Sequence, residues 1–80
     1  MLGISKMILV KSSALTERQY QVFVFLRLFA RTHGFPPTMR EIGGHFRIAP
    51  SSVLDQLRAL ERKGFIRREP MKSRCVEILR

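Results

Sequence analysis

The chain has 80 residues, 15 Lys plus Arg against six Asp plus Glu, a formal charge of +9 and one cysteine. That length allows one small domain with a single modest core. The charge favours a polyanionic partner, nucleic acid ahead of an acidic membrane surface, over a merely soluble basic protein. The lone Cys75 excludes an internal disulfide and fits a reducing compartment, so a cytoplasmic location is expected. No apolar run nears the roughly 20 residues needed to cross a bilayer, and Met7-Ile8-Leu9-Val10 is too short for a signal-peptide core.

Residues 1–13 read as an N-terminal tail or a short strand over Met7–Val10, followed by one domain over 14–80. Thr16 and Gln19 form a capping box, with Leu15 before them as a hydrophobic staple. A first helix is expected from Glu17 to His33. Gly34 suits the position just past its end, and Pro36-Pro37 keeps helix from resuming before Thr38. Its core stripe is Val22, Phe23, Leu26, Phe29 and Ala30. The far side also carries apolar residues: Tyr20, Val24 and Leu28, with Phe25 on the shoulder. An exposed helix in a small domain should be polar there. Either the N-terminal segment folds over this second stripe, or it meets a second copy or another protein.

Thr38 and Glu41 make a second capping box, opening a helix over Met39–Phe46 that buries Ile42 and Phe46. Of the adjacent Gly43 and Gly44, one is expected to serve a close helix crossing and the other only to lower stability. After the link Arg47-Ile48-Ala49, Pro50 suits the first position of another helix. Val53, Leu57 and Leu60 form its core stripe. At about 100° per residue, Ser51, Asp55, Arg58 and Arg62 fall on the opposite side. A short helix, a turn and a longer helix with a basic, hydrogen-bonding face is the helix-turn-helix pattern.

Past Lys63-Gly64 the period becomes alternating. Phe65–Glu69 and Arg74–Leu79 read as two strands joined around Pro70-Met71-Lys72-Ser73, with Val76 and Ile78 on one face and Cys75 and Glu77 on the other. The expected fold is therefore mainly α with a small β-hairpin: a three-helix winged helix-turn-helix. The candidate phosphate contacts are Arg40, Arg47, Arg58, Arg62, Lys63, Arg67, Arg68, Lys72 and Arg74. Taken singly, each has an alternative reading as a solvated surface charge. Asp55 either accepts from a cytosine amino group or excludes wrong sequences.

Enzymatic readings find little. His33, His45 and Cys75 fall on three different elements without metal-ligand spacing. No Gly-rich phosphate loop or G-x-S-x-G nucleophile motif is present. His33 reads as a helix-end residue favoured by the dipole and His45 as simply exposed. No cofactor, metal or catalytic residue is expected.

L-T-E-R-Q at 15–19, G-F-P-P-T-M-R-E-I at 34–42, L-R-A-L-E-R-K-G-F-I at 57–66 and S-R-C-V-E-I-L at 73–79 closely resemble the DNA-binding domain of LexA-type repressors. The resemblance runs from about Leu15 to Leu79. It implies a winged domain that binds operator DNA and represses transcription, with Ser51, Ser52, Leu54 and Asp55 at base edges. The sequence departs from the family's pattern at Ser51 and Leu54, where members commonly carry Asn and Glu. It also departs at Val24 and Leu28, which are usually polar. The family's self-cleaving serine–lysine peptidase domain, which supplies dimerisation, would be absent from a chain ending at Arg80. The resulting expectation is a stand-alone repressor that binds double-stranded DNA. A homodimer interface would use Tyr20, Val24, Phe25, Leu28 and the N-terminal segment. The alternative is an interaction adaptor or antirepressor whose site is the apolar face of the first helix.

Overall fold

A computed structural model describes residues 15–69, 74 and 76–80. The expected N-terminal tail or short strand over residues 1–13, the turn Pro70–Ser73 and Cys75 lie outside the described residues.

The first helix, α1 (Glu17–His33), starts where the sequence places its cap. The Gln19 amide donates to Thr16 Oγ1 and the Thr16 amide to Gln19 Oε1, both at 3.1 Å. It stops at Gly34, whose φ of 83° is the left-handed conformation glycine adopts at no steric cost; the Gly34 N–H closes onto the Ala30 carbonyl at 2.8 Å. Val22, Phe23 and Leu26 are buried. Phe29 and Ala30, expected in the same stripe, are only half-buried. Phe29 instead lies in a surface row of rings, 5.8 Å from Phe25, 4.1 Å from His33 and 6.2 Å from Phe35.

The second helix, α2 (Met39–Phe46), has the same kind of start. Glu41 N–H donates to Thr38 Oγ1 at 3.1 Å and Thr38 N–H to Glu41 Oε1 at 2.8 Å. Ile42 is fully buried, whereas Phe46, also expected inside, is half-buried and meets Phe25 edge-on at 5.6 Å. Arg47 ends α2 with φ 57°, a left-handed residue that reverses the chain. The Ile48 N–H then bonds the Gly43 carbonyl at 3.1 Å. A Cβ on Gly43 would sit 3.0 Å from the Ile48 carbonyl oxygen and 3.5 Å from Val53 Cγ2, while one on Gly44 meets nothing. Gly43 is thus the close-approach glycine and Gly44 the dispensable one.

The third helix, α3 (Pro50–Arg62), begins with Pro at its first position and no side-chain cap from Ala49. It buries Val53, Leu57 and Leu60, and also Ala59. The end is a Schellman motif: the Phe65 N–H bonds the Leu60 carbonyl and the Gly64 N–H the Glu61 carbonyl, each at 3.0 Å, with Gly64 at φ 83°. The chain then enters β1 (Ile66–Arg68), which pairs antiparallel with β2 (Val76–Ile78) in the register Ile66↔Ile78, Arg67↔Glu77, Arg68↔Val76. Both strands are shorter than their alternation suggests, although the Leu79 N–H still bonds the Phe65 carbonyl at 2.9 Å. Val76 is buried, Ile78 half-buried and Glu77 exposed, which matches the expected faces.

One core joins these pieces: Leu15, Val22, Phe23, Leu26, Ile42, Val53, Leu57, Leu60, Ile66 and Val76. Phe23 and Phe65 meet across it edge to face, centroids 5.2 Å apart. Three helices with an antiparallel hairpin after the third make a winged helix-turn-helix.

Candidate nucleic-acid interface

With Val53, Leu57 and Leu60 turned to the core, the 3.6-residue period leaves Ser51, Asp55, Arg58 and Arg62 exposed along α3. Ser52 and Leu54 are half-buried and form the two edges of this open face; Gln56, which the sequence reading passed over, is half-buried beyond Ser52. Helical spacing alone could have flagged Gln56, four residues on from Ser52. At the helix start, Pro50 has no N–H, and the Ser52 and Val53 amides both donate to the Ala49 carbonyl, at 3.0 and 3.1 Å. The Ser51 N–H is left without a partner among the described residues. It points out of the helix end where an anion is favoured.

The basic residues divide by what they touch. Arg40, in the first turn of α2, and Arg47, in the turn between the motif helices, are exposed. Like those of Arg58 and Arg62, their side chains have no hydrogen-bond or ion-pair partner among the described residues. Lys63 instead donates through Nζ to Gln19 Oε1 at 2.7 Å, toward the start of α1. Arg67 pairs across the hairpin with Glu77 at 3.1 Å, both side chains well exposed. Arg68 lies 3.7 Å from Glu61 with a mostly covered side chain, and its Nε is buried without a hydrogen-bond partner among the described residues.

Arg74 has the densest set of contacts. Its Nη1 donates to the Pro36 carbonyl at 2.8 Å and to Glu41 Oε1 at 3.0 Å, and its guanidinium lies 4.3 Å from the Phe35 ring centre. The Thr38 amide and the Arg74 guanidinium together hold the Glu41 carboxyl below its ordinary value of 4.5. Arg74 therefore straps the returning edge of the wing to the start of the helix-turn-helix. Nothing in local sequence spacing signals a bond between residues so far apart in the chain. Lys72 lies outside the described residues.

His45 is exposed, as expected, but not idle: its ring stacks on Phe25 at 4.2 Å and shields it. His33 lies close against Phe29 in a tilted arrangement, ring centres 4.1 Å apart. Among the described residues, no group of three or more His, Cys, Asp or Glu could hold a metal ion. No helix among them is long and apolar enough to cross a membrane.

An open α3 face in a winged helix-turn-helix is the architecture of a DNA-reading domain, and the sequence comparisons agree. Residues 12–75 match the LexA DNA binding domain family. The chain belongs to that family. It is 54% identical over 63 residues to the LexA repressor of Sorangium cellulosum, covering 78% of this chain and 27% of that protein. It is 43% identical over 77 residues to the LexA repressor of Mycobacterium tuberculosis, covering 95% of this chain and 33% of that protein. The LexA repressor of Leptospira interrogans is 39% identical over 66 residues, 82% of this chain and 32% of that protein. The chain thus spans a third or less of the length of these relatives.

Proposed function

We propose that this LexA-family domain binds duplex DNA sequence-specifically and acts as a transcriptional repressor in the cytoplasm, two copies occupying a two-fold site. The observation that carries this reading is the outward face of α3, with Arg58 and Arg62 unpaired among the described residues of a chain of charge +9. In this reading α3 lies in the major groove. Ser51, Ser52, Leu54 and Asp55 approach base edges, and Arg40, Arg47, Arg58 and Arg62 meet phosphates. Lys63, Arg67, Arg68 and Arg74 have internal partners and reach phosphate only at the cost of those contacts. The relatives lend no support to the adaptor or antirepressor alternative; they are LexA repressors.

The test is fluorescence anisotropy with duplex DNA across a salt series. The expected result is a linear fall of log affinity with log salt, with a slope of about −3 to −4 for four phosphate contacts. Absence of binding at low salt would overturn the reading.

A further inference from the structure

The outward face of α3 holds one side chain whose chemistry does not suit a phosphate. Ser51, Asp55, Arg58 and Arg62 all present polar groups to solvent. Past Pro50, Leu54 is the one apolar residue of α3 that is not buried. The core does not account for it. Val53 and Leu57 beside it are fully buried. The half-buried Phe46 and Ile48, just before α3, pack against the core, and Leu54 is not among the described side chains that do. Ser51, Leu54 and Leu57 step round the helix by roughly 60° each, at about 100° per residue. They pass in that order from exposed to half-buried to buried. Leu54 thus stands at the rim of the open face, one turn in from the start of the helix.

We infer that Leu54 is a specificity-determining residue that reads the 5-methyl group of a thymine, so that the preferred duplex carries a T·A pair beneath it. The inference rests on the reading above, in which α3 enters the major groove. There the N-terminal part of a recognition helix meets base edges. A leucine side chain has no hydrogen-bond donor or acceptor. Set against a phosphate, or against the polar edge of a G·C pair, it would strip water from a polar group and offer no bond in return. The apolar group that unmodified DNA shows in the major groove is the thymine 5-methyl. Contact between it and Leu54 removes apolar surface from water on both sides. Ser51 and Arg58, one turn before and one turn after Leu54, are polar and exposed, which confines the apolar contact to about one base pair.

Selection of the full chain on a random-sequence duplex pool, followed by anisotropy on the enriched site, tests this. Each thymine of that site is replaced in turn by deoxyuridine, which removes the 5-methyl and leaves every hydrogen-bonding group in place. At one or more positions the parent chain should lose about 4-fold in affinity, as expected for burial of one methyl-sized group. Leu54→Ala should bind the thymine and uracil forms of that site equally, to within about 1.5-fold. Its melting temperature should stay within about 3 °C of the parent, because Leu54 lies off the core. Leu54→Met, apolar and of similar volume, should keep the preference for thymine. An enriched site at which no uracil replacement matters overturns the inference and leaves the DNA-binding reading standing. A uracil penalty that persists in Leu54→Ala overturns it equally and assigns the methyl to another side chain. A pool that yields no enriched site despite salt-dependent binding overturns both the inference and sequence specificity. Absence of binding at low salt removes the underlying reading itself.

Discussion

On the outward face of α3, Arg58 and Arg62 touch no acid among the described residues, whereas each described arginine of the hairpin is engaged: Arg67 by Glu77, Arg68 near Glu61, Arg74 by Glu41 and Pro36. The two regions carry similar charge in the sequence and differ in what that charge is available for. A free guanidinium contributes its whole field to an approaching polyanion; a paired one must first give up a partner of its own. Counting basic residues along the chain therefore overstates the footprint of the wing relative to that of the helix.

The largest expected effect breaks the comparison at its helical side. Arg58→Ala combined with Arg62→Ala should lower duplex affinity about 100-fold at low salt and flatten the salt slope by about 2, leaving the melting temperature within about 2 °C of the parent. Equal losses from Arg67→Ala would show that the wing contributes just as much and erase the distinction.

Next comes the hinge that sets the angle of α3. Gly43→Ala forces a Cβ to 3.0 Å from the backbone oxygen of Ile48, which has little room to move because its own amide is tied to Gly43. The expected cost is about 2 kcal/mol by urea denaturation. Gly44→Ala meets open space and should stabilise by up to ~1 kcal/mol. If both substitutions stabilise, the crossing is looser than the distances say.

Smaller effects test the strap. Arg74→Ala should lower the melting temperature by a few degrees and, once the protein is folded, leave the salt slope of DNA binding unchanged within about 0.5. A slope reduced by a full phosphate contact would move Arg74 into the interface. The smallest effect is acid dependence. Because folding holds the Glu41 carboxyl below 4.5, its contribution is fully present above pH 4.5 and fades as pH falls through its lower folded value. Glu41→Gln should therefore destabilise the protein at neutral pH, and the gap to the parent should narrow in denaturation curves taken at about pH 3. A gap that stays constant with pH would assign the loss to the neutral capping bond alone.

What the sequence made legible were features written within a few residues of one another. Both capping boxes, the Gly34 stop, the entry at Pro50, the division of labour between Gly43 and Gly44, and the inward triad Val53, Leu57 and Leu60 all follow from local chemistry or a single period. Hidden from it were contacts made across the fold. Arg74 with Glu41 and Lys63 with Gln19 join residues on different elements, and Arg67 with Glu77 needs the hairpin register. Phe29 and Phe46 lie on the correct faces of their helices but near the core's rim, where His33, Phe35 and His45 cover them instead of the interior. The open face of α3 was visible as a pattern. The freedom of its arginines was not, because it depends on where every acid lies.

The layering of α1 and α3 has a consequence for assembly. The buried side of α1 meets the inner side of α3, so the back of α1 and the front of α3 are opposite ends of one stack, about two helix diameters or 20 Å thick. Two copies reading adjacent half-sites on one face of a duplex would therefore hold the backs of their α1 helices outward, away from the DNA and from the groove that α3 enters.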